Sequence, residues 1–133
     1  LARAHYLTGD SRYLAAAVAA CGFGCGANPD NLCYTTGLGI RNVVYILHHD
    51  SRITGQPAPA GITVAGPQNL RFSDRDGFIP YLRHDRFWPG VYAWPAAESY
   101  FDAYRIAPEN EYTVQGNIGP NLYNWGYLAA AKE

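Results

Sequence analysis

The sequence predicts an all-α chain of about three to four helices with a long structured loop region, forming part of a larger helical barrel. Three observations predict this. An Ala-rich stretch near the start carries apolar residues at helical spacing, two later stretches have helical character beside a proline, and between them no helical period persists. So few amphipathic helices cannot cover the aromatic and apolar residues of the loop region, so the fold is expected to be incomplete alone.

Taken in order, LARAHYLTGD reads as the last turns of a helix ended near Gly9. Asp10 or Ser11 then caps SRYLAAAVAACGFGC, in which Leu14, Val18, Cys21 and Cys25 form one apolar stripe at 4-3-4 spacing. Gly22, Gly24 and Gly26 weaken its end, and GANPDN stops it. From about Ala27 to Pro95 most of the prolines gather among short apolar runs such as GITVAG. Loops of such length in compact domains are functional or lean on structure contributed by something else. Helices are expected to resume at AAESYFDAYRIA (96–107), ended by Pro108, and at PNLYNWGYLAAAKE (120–133), with Pro120 in the first turn.

At 133 residues the chain is one domain's worth, and with 48% apolar and 16% charged residues it is not a disordered composition. A net charge of −1 opposes electrostatic capture of nucleic acid or an anionic membrane. No apolar run reaches the roughly 20 residues of a membrane span. The chain opens in mid-helix without an initiator Met, so the lack of a signal peptide says nothing of compartment. Eleven Tyr and three Trp suit flat uncharged ligands such as sugars, because ring faces pack on C–H groups. An ordinary aromatic core is the competing reading. Cys21, Cys25 and Cys33 cannot close a disulfide framework, and could hold zinc only with a fourth ligand from elsewhere; Cys21 and Cys25 are expected to be small core hydrophobes.

Glu111 stands in APENEYTVQGNIGP, among Asn, Tyr, Thr and Gly rather than on a Lys/Arg-rich face. Two motifs in the right order carry a resemblance. The first is GANPDNLCYTTGLGIR (26–41) with LHHDSR (47–52), in which Thr36, Gly37, Gly39 and Arg41 fit a Thr-Gly-aromatic-Gly turn and Leu38 replaces the aromatic. The second is ESYFDAYRIAPENEYTVQGNIGP (98–120), in which Tyr100, Asp102, Glu111, Thr113 and Asn117 have the required spacing. Together they resemble the C-terminal third of glycoside hydrolase family 9, whose catalytic domains are (α/α)6 barrels. The resemblance runs from Leu1 to Leu128 and makes residues 1–133 the C-terminal portion of one catalytic domain.

The resemblance implies that Glu111 is the general acid that protonates the glycosidic oxygen. An acid holding its proton near neutral pH needs a raised pKa, and tyrosine rings without Lys or Arg would provide that by desolvation. Arg105 is the nearest cation in sequence and Glu109 the nearest carboxylate. Without the motif, Glu111 is an ordinary loop or cap carboxylate. The family's His-x-Arg sugar contacts fall on His48 and, displaced, on Arg52, with Asp50 where the arginine is expected. A carboxylate at Asp50 would suit a cationic amino sugar. Gly116 stands where many members place an aromatic, and Tyr92, Trp94 or Tyr112 could fill that gap. Trp88, Trp94 and Trp125 are platform candidates, although Leu122 on the same face favours packing for Trp125. His5 and His84 carry no such context.

Inverting hydrolysis also needs a base carboxylate roughly 6.5–9.5 Å from the acid. The family's Asp-x-Gly-Asp motif does not occur, and the close pair Asp74 and Asp76 has nothing else to recommend it. Three explanations compete: a portion of a longer enzyme, which is favoured; a chain completed by another; or a sugar-binding module without hydrolysis. The expected activity is hydrolysis of β-1,4-linked oligo- or polysaccharide, with this chain supplying the acid and part of the cleft and no cofactor. Alternatives are an exo-β-glucosaminidase, a sugar-binding module, or a protein-interaction module. Family resemblance leans toward a secreted or periplasmic setting. GFGCGANP lacks the Lys-Ser/Thr of a phosphate loop, and no nucleophile elbow, zinc-protease motif or calcium loop is present.

Overall fold

The computed structural model describes residues 1–73 and 87–131, and these are all-α. The elements are α1 (Ala2–Thr8), α2 (Ser11–Gly24), α3 (His49–Thr54), α4 (Leu70–Ser73), 3-10 turns at Val91–Ala93 and Ala96–Glu98, α5 (Ala107–Asn110), α6 (Val114–Gly116), a π-helical stretch Asn117–Leu122, and α7 (Tyr123–Ala130). The described residues contain no strand, only isolated bridges pairing Cys33 with Asn42 and Thr35 with Thr63. No helix among them is long and apolar enough to cross a membrane.

The first two helices begin and end as expected. Gly9, at φ 68°, turns the chain out of α1, and its N–H returns to the His5 carbonyl. Asp10 caps α2 by accepting the Arg12 N–H at 2.9 Å. α1, α2 and α7 pack on one another, and His5 Nδ1 lies 2.7 Å from the Tyr127 hydroxyl. Of the stripe expected on α2, Leu14, Cys21 and Cys25 are half-buried, but Val18 departs from it. Val18 is 55% exposed, and the buried residue is Ala17, because close approach of helices favours the smallest side chain. Cys21 and Cys25 are half-buried; Cys33, in the loop region, is buried.

The loop region supplies its own core. Leu32, Tyr34, Val43, Ile46, Val64 and Tyr100 form one buried cluster, and Leu70, Val91 and Ile106 a second, with Phe87, Tyr92, Phe101 and Ala103 against it. Polar links run through the first: the Tyr34 hydroxyl donates to Asp30, and the Tyr100 hydroxyl to Asn110 Oδ1. Burial drives both phenols far above the ordinary tyrosine pKa.

The helix expected over 96–107 is not formed. Its residues make one 3-10 turn and then run irregularly, because side chains take the backbone groups that a helix would pair. Glu109 Oε2 accepts the Phe101 N–H at 3.0 Å, and Asn110 Nδ2 donates to the Phe101 and Ile106 carbonyls. Pro108 accordingly opens α5 instead of ending a helix, which suits a residue with no N–H to pair. The last helix likewise starts late, at Tyr123, with Pro120 inside the π-helical stretch.

The 36–39 turn is tied into this core. Thr36 Oγ1 donates to the Pro59 carbonyl at 2.6 Å and accepts the Ile62 N–H at 3.0 Å. Gly37 has φ 70°, and a Cβ there would meet Ala60 Cβ at 2.7 Å. Gly37→Ala is therefore expected to destabilise the fold by about 2 kcal/mol, from left-handed backbone plus the clash. Gly55→Ala, with φ 70° but open space, is expected to cost about 1 kcal/mol. Urea unfolding of the two variants checks the order.

Candidate active site

Two backbone hydrogen bonds and two side chains assemble the site from segments distant in sequence. The Leu47 N–H donates to the Asn110 carbonyl at 2.9 Å, and the Ala65 N–H to the Glu111 carbonyl at 2.8 Å. Asn117 Oδ1 accepts the Thr63 N–H at 2.8 Å, while its Nδ2 donates to the Thr63 and Thr113 carbonyls. The Asp102 carboxylate accepts the Val44 and Tyr45 N–H groups, both at 2.8 Å, just ahead of α3. Four of the second motif's five residues are thus fastened to the first half of the chain or to the core. Asp102→Ala, which strands two donors, is expected to cost about 1.5–3 kcal/mol, and Asp102→Asn about half as much; thermal unfolding reads both.

Glu111 is the C-cap of α5, in extended conformation, and its side chain is exposed. It forms no ion pair among the described residues. The desolvation expected around it is not provided by these residues. Tyr112 follows at 37% exposure, its ring centroid 6.3 Å from that of His48 with planes tilted by 31°. His48 caps α3, its Nδ1 lying 2.6 Å from Ser51 Oγ and 3.2 Å from the Ser51 nitrogen. Those bonds fix the ring and leave its Nε2 edge for a ligand. The Leu47–Asn110 bond and the His48–Tyr112 contact thus set residues 47–48 beside 110–112, the segment that carries Glu111.

The other expected sugar contacts are placed less uniformly. Arg52 extends from α3 over the Tyr104 ring, 3.8 Å from guanidinium carbon to ring centroid. It lines a groove of about 630 Å³ with Tyr45, Ile46, His49, Gln56 and Tyr104. Asp50 is exposed in the first turn of α3 and is not part of that lining. Trp94 has partners of its own: its Nε1 donates to the Pro89 carbonyl and its ring meets Phe101 edge-on at 5.9 Å. Trp88 is 94% exposed. Leu122, at 65% exposure, does not bury Trp125, which instead lines a cleft of about 300 Å³ with Ala17, Cys21 and Cys25. Arg41 donates to the Asp30 carbonyl at 3.1 Å. Asp74, Asp76 and His84 lie outside the described residues.

Glu109 is the carboxyl group that the sequence reading passed over. It is fully buried, and burial pushes its pKa up to about 8, with the nearby Asp30 charge adding to the rise. Its Oε1 and the Ser99 hydroxyl are buried without a geometric hydrogen bond, and they lie beside each other. A proton on Glu109 satisfies that pair. The signal was present in periodicity: Glu109 and Asn110 follow buried Ile106 at i+3 and i+4, which puts them on the inward side of a helical turn. A group with no exposed surface cannot reach a substrate, so Glu109 is structural. Burial also raises the Cys21 and Cys25 thiols, which makes them poor nucleophiles at neutral pH. No group of three or more His, Cys, Asp or Glu among the described residues is placed to hold a metal. Compared with protein-family models and with curated proteins, the chain matches none.

Proposed function

We propose that this chain supplies the general acid and part of the sugar cleft of a glycosidase that cleaves β-1,4-linked oligo- or polysaccharide with inversion. The observation that supports the reading is the joining of two distant motifs: the Leu47–Asn110 hydrogen bond and the His48–Tyr112 contact bring His48 beside the segment that carries Glu111. In the reaction, Glu111 gives its proton to the departing sugar oxygen while a base carboxylate activates water on the opposite face of the ring. Tyr112 offers a ring wall for the sugar's C–H face, and His48 a hydrogen bond to a hydroxyl. The base, and the apolar cover that keeps the Glu111 proton in place, are supplied by a further segment of the protein or by another chain.

A second reading has its own support. Ile40, Ile53, Leu7, Phe72 and Tyr6 are each more than three-quarters exposed, which suits a protein-interaction module. Cello-oligosaccharide separates the two. The glycosidase reading expects the sugar to raise the melting temperature; the interaction reading expects no shift. The glucosaminidase alternative rests on Asp50, which lies off the groove, and nothing in the groove favours it.

A further inference from the structure

Beside the His48–Tyr112 face, the groove under α3 has a charge character of its own. Arg52 and His49 are its ionisable cationic groups, and no carboxylate belongs to its lining. Of the carboxylates around it, Asp102 has both oxygens engaged by the Val44 and Tyr45 N–H groups, and Asp50, between His49 and Ser51 in the first turn of α3, is exposed and forms no ion pair with Arg52. Arg52 is stacked on Tyr104 and pairs with no carboxylate among the described residues. The Tyr104 ring holds the guanidinium in place and its hydroxyl also interacts with Arg52, while a planar fork with five N–H donors has others to offer a carboxylate in bidentate fashion. Arg105 adds a second cation near the same ring, 5.8 Å from its centroid. The rest of the lining pairs apolar surface from Val44, Ile46, Ile53 and Pro57 with neutral hydrogen-bonding groups such as Gln56, as a pyranose requires.

We infer that this groove takes a sugar residue bearing a carboxylate, a uronate, whose charged group is clamped by Arg52. The inference rests on the proposed reading of the chain as part of a saccharide-cleaving site, and it sharpens the substrate class toward acidic β-1,4-linked glycans and away from cationic amino sugars. An exposed arginine discriminates by charge only modestly, so the expected preference is about tenfold at low salt and smaller at high salt.

The test is calorimetric binding of three trisaccharides to the purified protein: cellotriose, its analogue with one terminal residue oxidised at C6 to glucuronate, and its analogue with one terminal glucosamine. The uronate analogue is expected to bind about tenfold more tightly than cellotriose at low ionic strength, with the gap closing in high salt. Arg52→Gln should remove the gap while leaving cellotriose binding in place, and Arg52→Lys, which keeps charge without the planar fork, should retain part of it. Equal binding of the uronate and neutral sugars, a preference for the glucosamine analogue, or a uronate preference that survives Arg52→Gln overturns the inference and leaves the glycosidase reading standing. If no trisaccharide binds, the glycosidase reading itself fails.

Discussion

Glu111→Gln is expected to lower turnover of a β-1,4-linked oligosaccharide by roughly 10²–10⁴-fold in the complete enzyme, the range that a positioned general acid contributes, while sugar affinity stays within about twofold. The substitution keeps shape and hydrogen-bonding reach but removes the transferable proton. Its effect on the fold should be slight, because the side chain is exposed and the stabilising hydrogen bonds at this position belong to the backbone. Glu109→Gln provides the contrast. It lies two residues away in the same turn but is fully buried, so it should leave the turnover number essentially intact. Rate loss for the Glu109 variant and none for the Glu111 variant would reverse the assignment.

The second large effect concerns stability and pH. Glu109 has a folded-state pKa of about 8, well above the usual glutamate value of 4.5. The unfolded chain therefore releases this proton at lower pH than the folded chain does. Between roughly pH 4.5 and 8 the folded state binds more protons, so stability falls as pH rises, with a limiting slope of about 1.4 kcal/mol per pH unit. The contribution is fully present below pH 4.5 and is exhausted above pH 8. Other carboxylates obscure the absolute curve, so the quantity to measure is the difference in unfolding free energy between the native sequence and Glu109→Gln. Glutamine mimics the neutral acid: one end accepts the Phe101 N–H, and the other donates toward Ser99. That difference should favour glutamine increasingly from acid to mildly alkaline pH. A flat difference across this range means that Glu109 is ionised in the fold.

Both predictions turn on the short segment 106–111, whose conformation and burial depend on contacts that sequence spacing does not display. Motif spacing singled out Glu111, Asp102 and Asn117, and the structure gives the last two specific work in tying distant segments together. The helix expected over 96–107 was misread because the 3.6 period cannot register a backbone N–H captured by a side chain eight residues on. Caps were legible where a local rule suffices, as at Gly9 and Asp10. The burial of Ala17 instead of Val18 was not, since it depends on which helices approach and how closely. His48 is singled out by its motif as a sugar contact, whereas its role as the cap of α3 depends on a turn that loop composition does not display. Trp94 looked like a platform from composition alone; its indole N–H already has a partner in the Pro89 carbonyl.

The proposal that Glu111, Tyr112 and His48 serve one sugar site is tested most directly by following backbone and imidazole resonances during titration with cellotriose. Progressive shifts that appear together in 47–49 and 110–113, with one affinity describing both, are the predicted result. Shifts in only one of these segments, or none in either while the protein remains folded, contradict a common sugar-facing site.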